Sequence, residues 1–211
     1  MDKKVYKEVT FRSIELEILK FYLGDYLEGN YARQIARLLE KNHRTVSLAL
    51  AGLEEKGILN HKMVGRVKEY YINFESPLTR DYLINAEFLQ NMKFMEKHFF
   101  YKKLLTELTP NLLMSAPVIL FGSYAKGEET SRSDIDLLII RDGNENKVMG
   151  AIKEFADRHN KEVHLHKMKK EDFESGLKEK DHFVIEILKN HIIWNNSPLF
   201  VDIFWRYFYG K

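Results

Sequence analysis

The 211-residue chain contains no cysteine, which excludes disulfides and thiolate zinc sites and fits a reducing compartment. It also lacks any apolar stretch of bilayer-spanning length, and its opening Met1-Asp2-Lys3-Lys4 has no signal-peptide core. The expectation is a soluble, cytoplasmic protein with no membrane partner. Internal repeats and low-complexity segments are missing as well. Nor does one charge dominate: 33 Lys and Arg against 31 Asp and Glu leave a formal net charge of +2. Bulk affinity for nucleic acid is not advertised, so any such binding has to come from a local patch.

One stretch organises the remainder. The apolar run Val118, Ile119, Leu120, Phe121 stops at Gly122-Ser123 and continues as Tyr124-Ala125-Lys126-Gly127; Ser133-Asp134-Ile135-Asp136 then opens a second apolar run that ends at Ile140. This predicts a strand, a tight phosphate-sized turn and a second strand. Alternation places Asp134 and Asp136 on one face, about 6.7 Å apart along the backbone. Carboxylates that close raise each other's pKa unless a cation lies between them, and such hard oxygen donors suit magnesium shared with substrate phosphates. Gly122 lets a backbone approach a ligand closely, and Ser123 starts a short helical turn whose free N–H groups can hold phosphate oxygens.

Gly122-Ser123, ten intervening residues, then Asp134-Ile135-Asp136 resembles the signature of the minimal nucleotidyltransferase domain of the DNA polymerase β superfamily. The resemblance implies transfer of a nucleoside monophosphate from a nucleoside triphosphate to a hydroxyl, with Mg2+ (or Mn2+) held by Asp134 and Asp136. It implies that Gly122, Ser123, Lys126 and Ser133 contact the triphosphate. It further implies a third carboxylate on the strand read over Glu162 to Met168, where His164 stands instead, between Val163 and Leu165. By alternation Glu162, His164 and His166 share a face, so either Glu162 or His164 is a candidate for the missing catalytic group. The alternative is a DNA-binding regulator whose nucleotidyltransferase domain is inactive and only senses nucleotide.

The N-terminal third carries a different pattern. Ser13 is a candidate cap for a helix bearing Ile14, Leu16, Ile18, Leu19 and Leu23, and Asn30 for a second bearing Ile35, Leu38 and Leu39. A third helix starts near His43, buries Val46, Leu50 and Leu53, and stops at Gly57. Leu59 to Met63 and Val67 to Ile72 read as a two-stranded hairpin around Val64-Gly65-Arg66. Three helices and a hairpin make a winged helix-turn-helix, which offers His43, Arg44, Thr45 and Ser47 to a DNA groove and His61, Lys62, Arg66 and Lys68 to phosphates. Glu54, Glu55 and Glu69 dilute that field, and winged helices also serve as protein-binding modules. The region from Tyr31 to Ile72 resembles the archaeal and bacterial winged-helix regulators.

Leu78 to about Leu108 reads as one long helix, broken by Thr109-Pro110; it packs on its own protein or pairs two copies into a homodimer. Asp142-Gly143 is a turn, and Lys147 to His159 a helix with Val148, Ile152 and Phe155 inward. Asp181 to Ile193 reads as an amphipathic helix with His191 near its apolar side. Ser197-Pro198 starts a final aromatic helix, expected to pack on the long one. The expected fold is α/β (α+β): a winged helix over 1–76, a connecting helix over 77–97, and over 98–211 a polymerase-β-like nucleotidyltransferase domain with a mixed sheet and C-terminal helices.

Overall fold

The structure is a computed structural model that describes residues 12–108, 117–141 and 146–211. The expectations for Met1 to Lys4, Thr109-Pro110, Asp142-Gly143 and the Val148 side chain lie outside the described residues.

In the first unit, α1 (Ser13–Leu19) tightens into a 3-10 turn at Lys20–Tyr22. Ser13 is not its cap: Arg12 occupies that position without a side-chain bond, and the Ser13 hydroxyl donates to Glu17 at 3.2 Å. Asn30 does not cap α2 (Ala32–Leu38) either. It belongs with Tyr31 to a short strand, β1 (Asn30–Tyr31), and is buried opposite Tyr70, because pairing with a distant strand outcompetes a local cap. α3 (His43–Glu55) is capped by Asn42, whose side-chain oxygen accepts from the Arg44 amide at 2.8 Å. Its Val46, Leu50 and Leu53 are wholly buried. Gly57 ends the unit's helical part at φ 71°, and the Ile58 amide returns to the Leu53 carbonyl at 2.9 Å. β2 (Leu59–Val64) and β3 (Val67–Ile72) follow, so the hairpin belongs to a three-stranded antiparallel sheet in the order β1-β3-β2.

The connecting segment is two helices, α4 (Pro77–Lys97) and α5 (Phe99–Leu108), and not one. His98 leaves helical geometry at φ −115°, ψ 85°, with its ring stacked on Phe94 and its Nδ1 3.4 Å from Glu129. The break lets the two helices serve different cores. α4 buries Tyr82, Leu83 and Ala86 in one cluster, whereas Tyr101, Leu104 and Leu108 of α5 enter another.

The second sheet contains β4 (Val118–Phe121), β5 (Ile135–Ile140), β6 (Val163–Met168) and β7 (Ile192–Asn195), in the order β6-β5-β4-β7. β5 runs parallel to β6 and antiparallel to β4, which is itself antiparallel to β7, so the sheet is mixed as expected. Around it lie α6 (Gly122–Lys126), α7 (Asn146–His159), α8 (Lys170–Glu179), α9 (His182–Lys189) and α10 (Ser197–Phe208). The helix expected to reach Ile193 stops at Lys189; Ile192 and Ile193 instead pair with Leu120 and Ile119. The α10 N-cap is Asn196, at φ 57° and with no side-chain capping bond, so Ser197 stands one residue inside.

Both faces of the sheet are covered. Ile135, Leu137 and Ile139 face α5 and α7 with Ile152 and Phe155. Leu138 and Ile140, on the other face, join a cluster that runs from Ile18 and Leu50 through Leu83 to Phe173, Ile187 and Phe204. The first unit and the C-terminal helices therefore share one core. α10 packs on α4 as expected, with Arg80 and Asp202 ion-paired and the Phe208 ring 5.1 Å from that of Tyr26.

A charged tie crosses this core. His191 is 3% exposed; its Nδ1 lies 2.9 Å from the Leu188 carbonyl and its Nε2 2.9 Å from Glu87 Oε1. Burial opposes its charge, but the Glu87 carboxylate and the Leu188 and Ile187 carbonyls outweigh that and hold the imidazole above its ordinary value of 6.5. With the folded value raised, the stabilisation is complete below about 6.5 and is lost as pH rises through the folded value. Urea melts should show stability declining over that rise. Glu87→Gln should abolish this component and cost about 3–5 kcal/mol at low pH, as loss of one partner of a buried pair does.

Candidate active site

β4 is four consecutive buried residues, and it ends where Gly122 turns the chain at φ 72°. A Cβ built on Gly122 would collide with Asp136 Oδ2, on the neighbouring strand. Glycine is thus required here by the protein's own carboxylate as well as by a left-handed backbone. Ser123 follows, half-buried, in the five-residue α6, which closes on Gly127 at φ 71°. Lys126 ends the helix paired with Glu186 at 2.7 Å; that bond raises the lysine's pKa and lowers the glutamate's. Ser133 closes the turn before β5, its hydroxyl accepting from the Thr130 amide at 2.9 Å.

Parallel pairing of β5 with β6 sets Asp136 beside His164, and the Ile135 amide donates to the Glu162 carbonyl at 3.0 Å. Alternation then brings Asp134, Asp136, Glu162 and His164 to one face at the N-terminal end of the strands, with Leu138 and Ile140 continuing that face into the core. His164 Nδ1 is 3.3 Å from Asp136 Oδ1, and its Nε2 is 3.8 Å from Glu162 Oε2. Donor atoms of Asp134, Glu162 and His164 all lie within 4.8 Å of one another. His166, on the same strand, turns its ring to Phe121 and Phe183 and takes no part.

Beside these carboxylates runs a groove of about 730 Å³, walled by Asp134, Glu162, Arg132, Asp157 and Lys161. Arg132 and Lys161 escaped sequence reasoning, although each adjoins a candidate residue in the chain. They put positive charge next to the acids, and the Lys161 ammonium also sits 5.4 Å from the Tyr124 ring centre.

In the first unit His43, Arg44 and Thr45 are exposed at the start of α3, with Ser47 one turn on, 3.5 Å from His43. The hairpin cations are less free. Lys62 meets Glu69 at 3.3 Å, Lys68 meets Glu54 at 2.9 Å and His61 meets Glu54 at 2.6 Å, while Arg66 is exposed at the turn. Arg33 and Arg37 of α2 line a second groove, of about 570 Å³, with Lys41 and His43.

Residues 101–195 match the model of the nucleotidyltransferase domain family. That stretch of the chain is therefore similar to a nucleotidyltransferase domain. The matched span runs from α5 to β7 and includes every strand of the mixed sheet and the four residues gathered on its face. Comparison with curated proteins and with solved structures yields no significant match.

Gly122→Ala should destabilise the fold by more than about 1 kcal/mol in urea melts, since alanine is strained at positive φ. It should also displace the Asp136 carboxylate, and a native-like chemical shift for that side chain in the variant would contradict the packing described.

Proposed function

We propose that the protein transfers a nucleoside monophosphate from a nucleoside triphosphate to a hydroxyl acceptor and releases pyrophosphate. The observation that carries this reading is the gathering of Asp134, Asp136, Glu162 and His164 on one face beside Gly122-Ser123, inside the matched nucleotidyltransferase segment. Three donors within 4.8 Å of one another, two of them carboxylates, fit a divalent cation. When bound, that ion supplies polarisation of the α-phosphate and neutralises the leaving group. The amides of Gly122 and Ser123 would hold phosphate oxygens, and Arg132 and Lys161 would add positive charge along the groove. As the acceptor oxygen bonds to phosphorus and the bond to pyrophosphate breaks, the acceptor proton passes to Glu162, the most exposed carboxylate of the set at 77%.

The native chain, given labelled nucleoside triphosphates, a divalent cation and a cell lysate, should place label on an acceptor. Asp134→Asn with Asp136→Asn should abolish transfer, and Glu162→Ala should lower turnover by roughly 10²–10⁴-fold with little change in triphosphate binding. Native protein that binds triphosphate yet labels nothing would establish the regulator that only senses nucleotide.

We read the first unit as a winged helix that presents the start of α3 to duplex DNA. Among the described residues Arg33, Arg37 and Arg44 have no carboxylate partner, unlike Lys62 and Lys68, so the α2–α3 corner supports this contact better than the wing does. Duplex affinity of the full chain should fall with salt, and Arg33→Ala and Arg37→Ala should each reduce the log-log slope by about one unit. Loss of Lys68 should change it less. No duplex binding at low salt would leave the unit as a protein-binding module.

A further inference from the structure

His164 stands where an all-oxygen metal set would have a third carboxylate, and its surroundings bear on which ion the site takes. This inference rests on the nucleotidyl-transfer reading of the site. The two ring nitrogens have different neighbours. Nδ1 lies 3.3 Å from Asp136 Oδ1, within reach of an N–H that the carboxylate can accept. Nε2 lies 3.8 Å from Glu162 Oε2, too far for a hydrogen bond. Two ligand atoms each about 2.1 Å from one ion stand about 3–4 Å apart, so that gap is the size a shared ion bridges. Asp134 completes a three-donor group with Glu162 and His164, whereas Asp136 lies beside the imidazole Nδ1. In the tautomer that donates Nδ1–H to Asp136, Nε2 carries the lone pair, and a carboxylate behind the far ring nitrogen is what orients a metal-binding histidine and raises its basicity.

We propose that His164 Nε2, Asp134 and Glu162 bind a borderline transition-metal ion, of the cobalt(II) or zinc class, in preference to magnesium, and that Asp136 is a positioning residue that holds the imidazole through Nδ1–H. One nitrogen and two oxygen donors suit these ions, while magnesium favours an octahedron of oxygens and gives up its waters reluctantly. The three protein donors leave coordination positions for triphosphate oxygens. Glu162 keeps its second oxygen for the acceptor proton.

The test uses the full chain, metal-free and without nucleotide. Calorimetric titration should give one cobalt(II) bound at least about a hundredfold more tightly than magnesium. Proton NMR of the cobalt form should show a hyperfine-shifted, solvent-exchangeable resonance from the His164 Nδ1–H. His164→Asp should remove that resonance and shrink the cobalt-to-magnesium preference at least tenfold. Asp136→Asn should keep cobalt binding, weaken it about 10–100-fold and move the resonance. Equal native affinity for the two ions, an unchanged preference in His164→Asp, or abolition of binding by Asp136→Asn alone would overturn the assignment. Because no nucleotide is present, such a failure leaves the transfer reading to its own assay.

Discussion

Parallel pairing of β5 with β6 joins residues 28 apart in the chain, and the meeting of Asp134 and Asp136 with Glu162 and His164 depends on its register. A slip of one residue would set Asp136 against Val163 or Leu165 and turn His164 to the opposite face. The register is pinned because β5 is an interior strand buried on both sides. Ile135, Leu137 and Ile139 are fully enclosed on one face, and Leu138 and Ile140 nearly so on the other. A parallel connection also needs a crossover, which α7 supplies, and α7 in turn buries Ile152 and Phe155 in the core beneath the site. The acids stay in water because they occupy the strand ends, where that apolar alternation starts.

What could be read from the sequence was what local chemistry decides. The α3 helix, its glycine stop and the hairpin turn each have a cause within a few residues, and all three stand where Asn42, Gly57 and Gly65 place them. Alternation likewise put Glu162 and His164 on one face of their strand, and the register with β5 sets that face beside Asp136. Errors arose where a distant partner made the choice. His191 continues the helical spacing of Val184, Ile187 and Leu188, and only pairing with β4 turns Ile192 and Ile193 into a strand. Asn30 looked like a cap until Tyr70 claimed it. His98 breaks a helix with no glycine or proline to announce it. Gly122 was legible as a special position, but the Asp136 carboxylate behind it was not.

The buried polar groups near α4 show the same dependence on long-range partners. Glu87, fully buried, finds His191 104 residues later, while its second oxygen has no bond partner among the described residues. The Tyr26 hydroxyl is also buried without one; burial first and the Glu87 carboxylate second push its pKa well upward. Orphaned polar atoms this deep are uncommon and weaken a packed interior. The aromatic rings around them offset this, with Phe204 set against both Tyr26 and His191.

The shared core has a consequence for how the chain is made. Tyr26 and Arg80 leave the ribosome early, yet their packing partners Phe208 and Asp202 belong to α10, and Arg80 and Asp202 are separated by 122 residues. The first unit can form its helices and hairpin as it emerges, but one of its apolar sides stays open to water until nearly the whole described chain has been synthesised. Folding here is not a sequence of finished parts. For that interval the nascent unit presents the kind of surface that chaperones hold, and closure by α10 seats the helical layer over the mixed sheet in the same step.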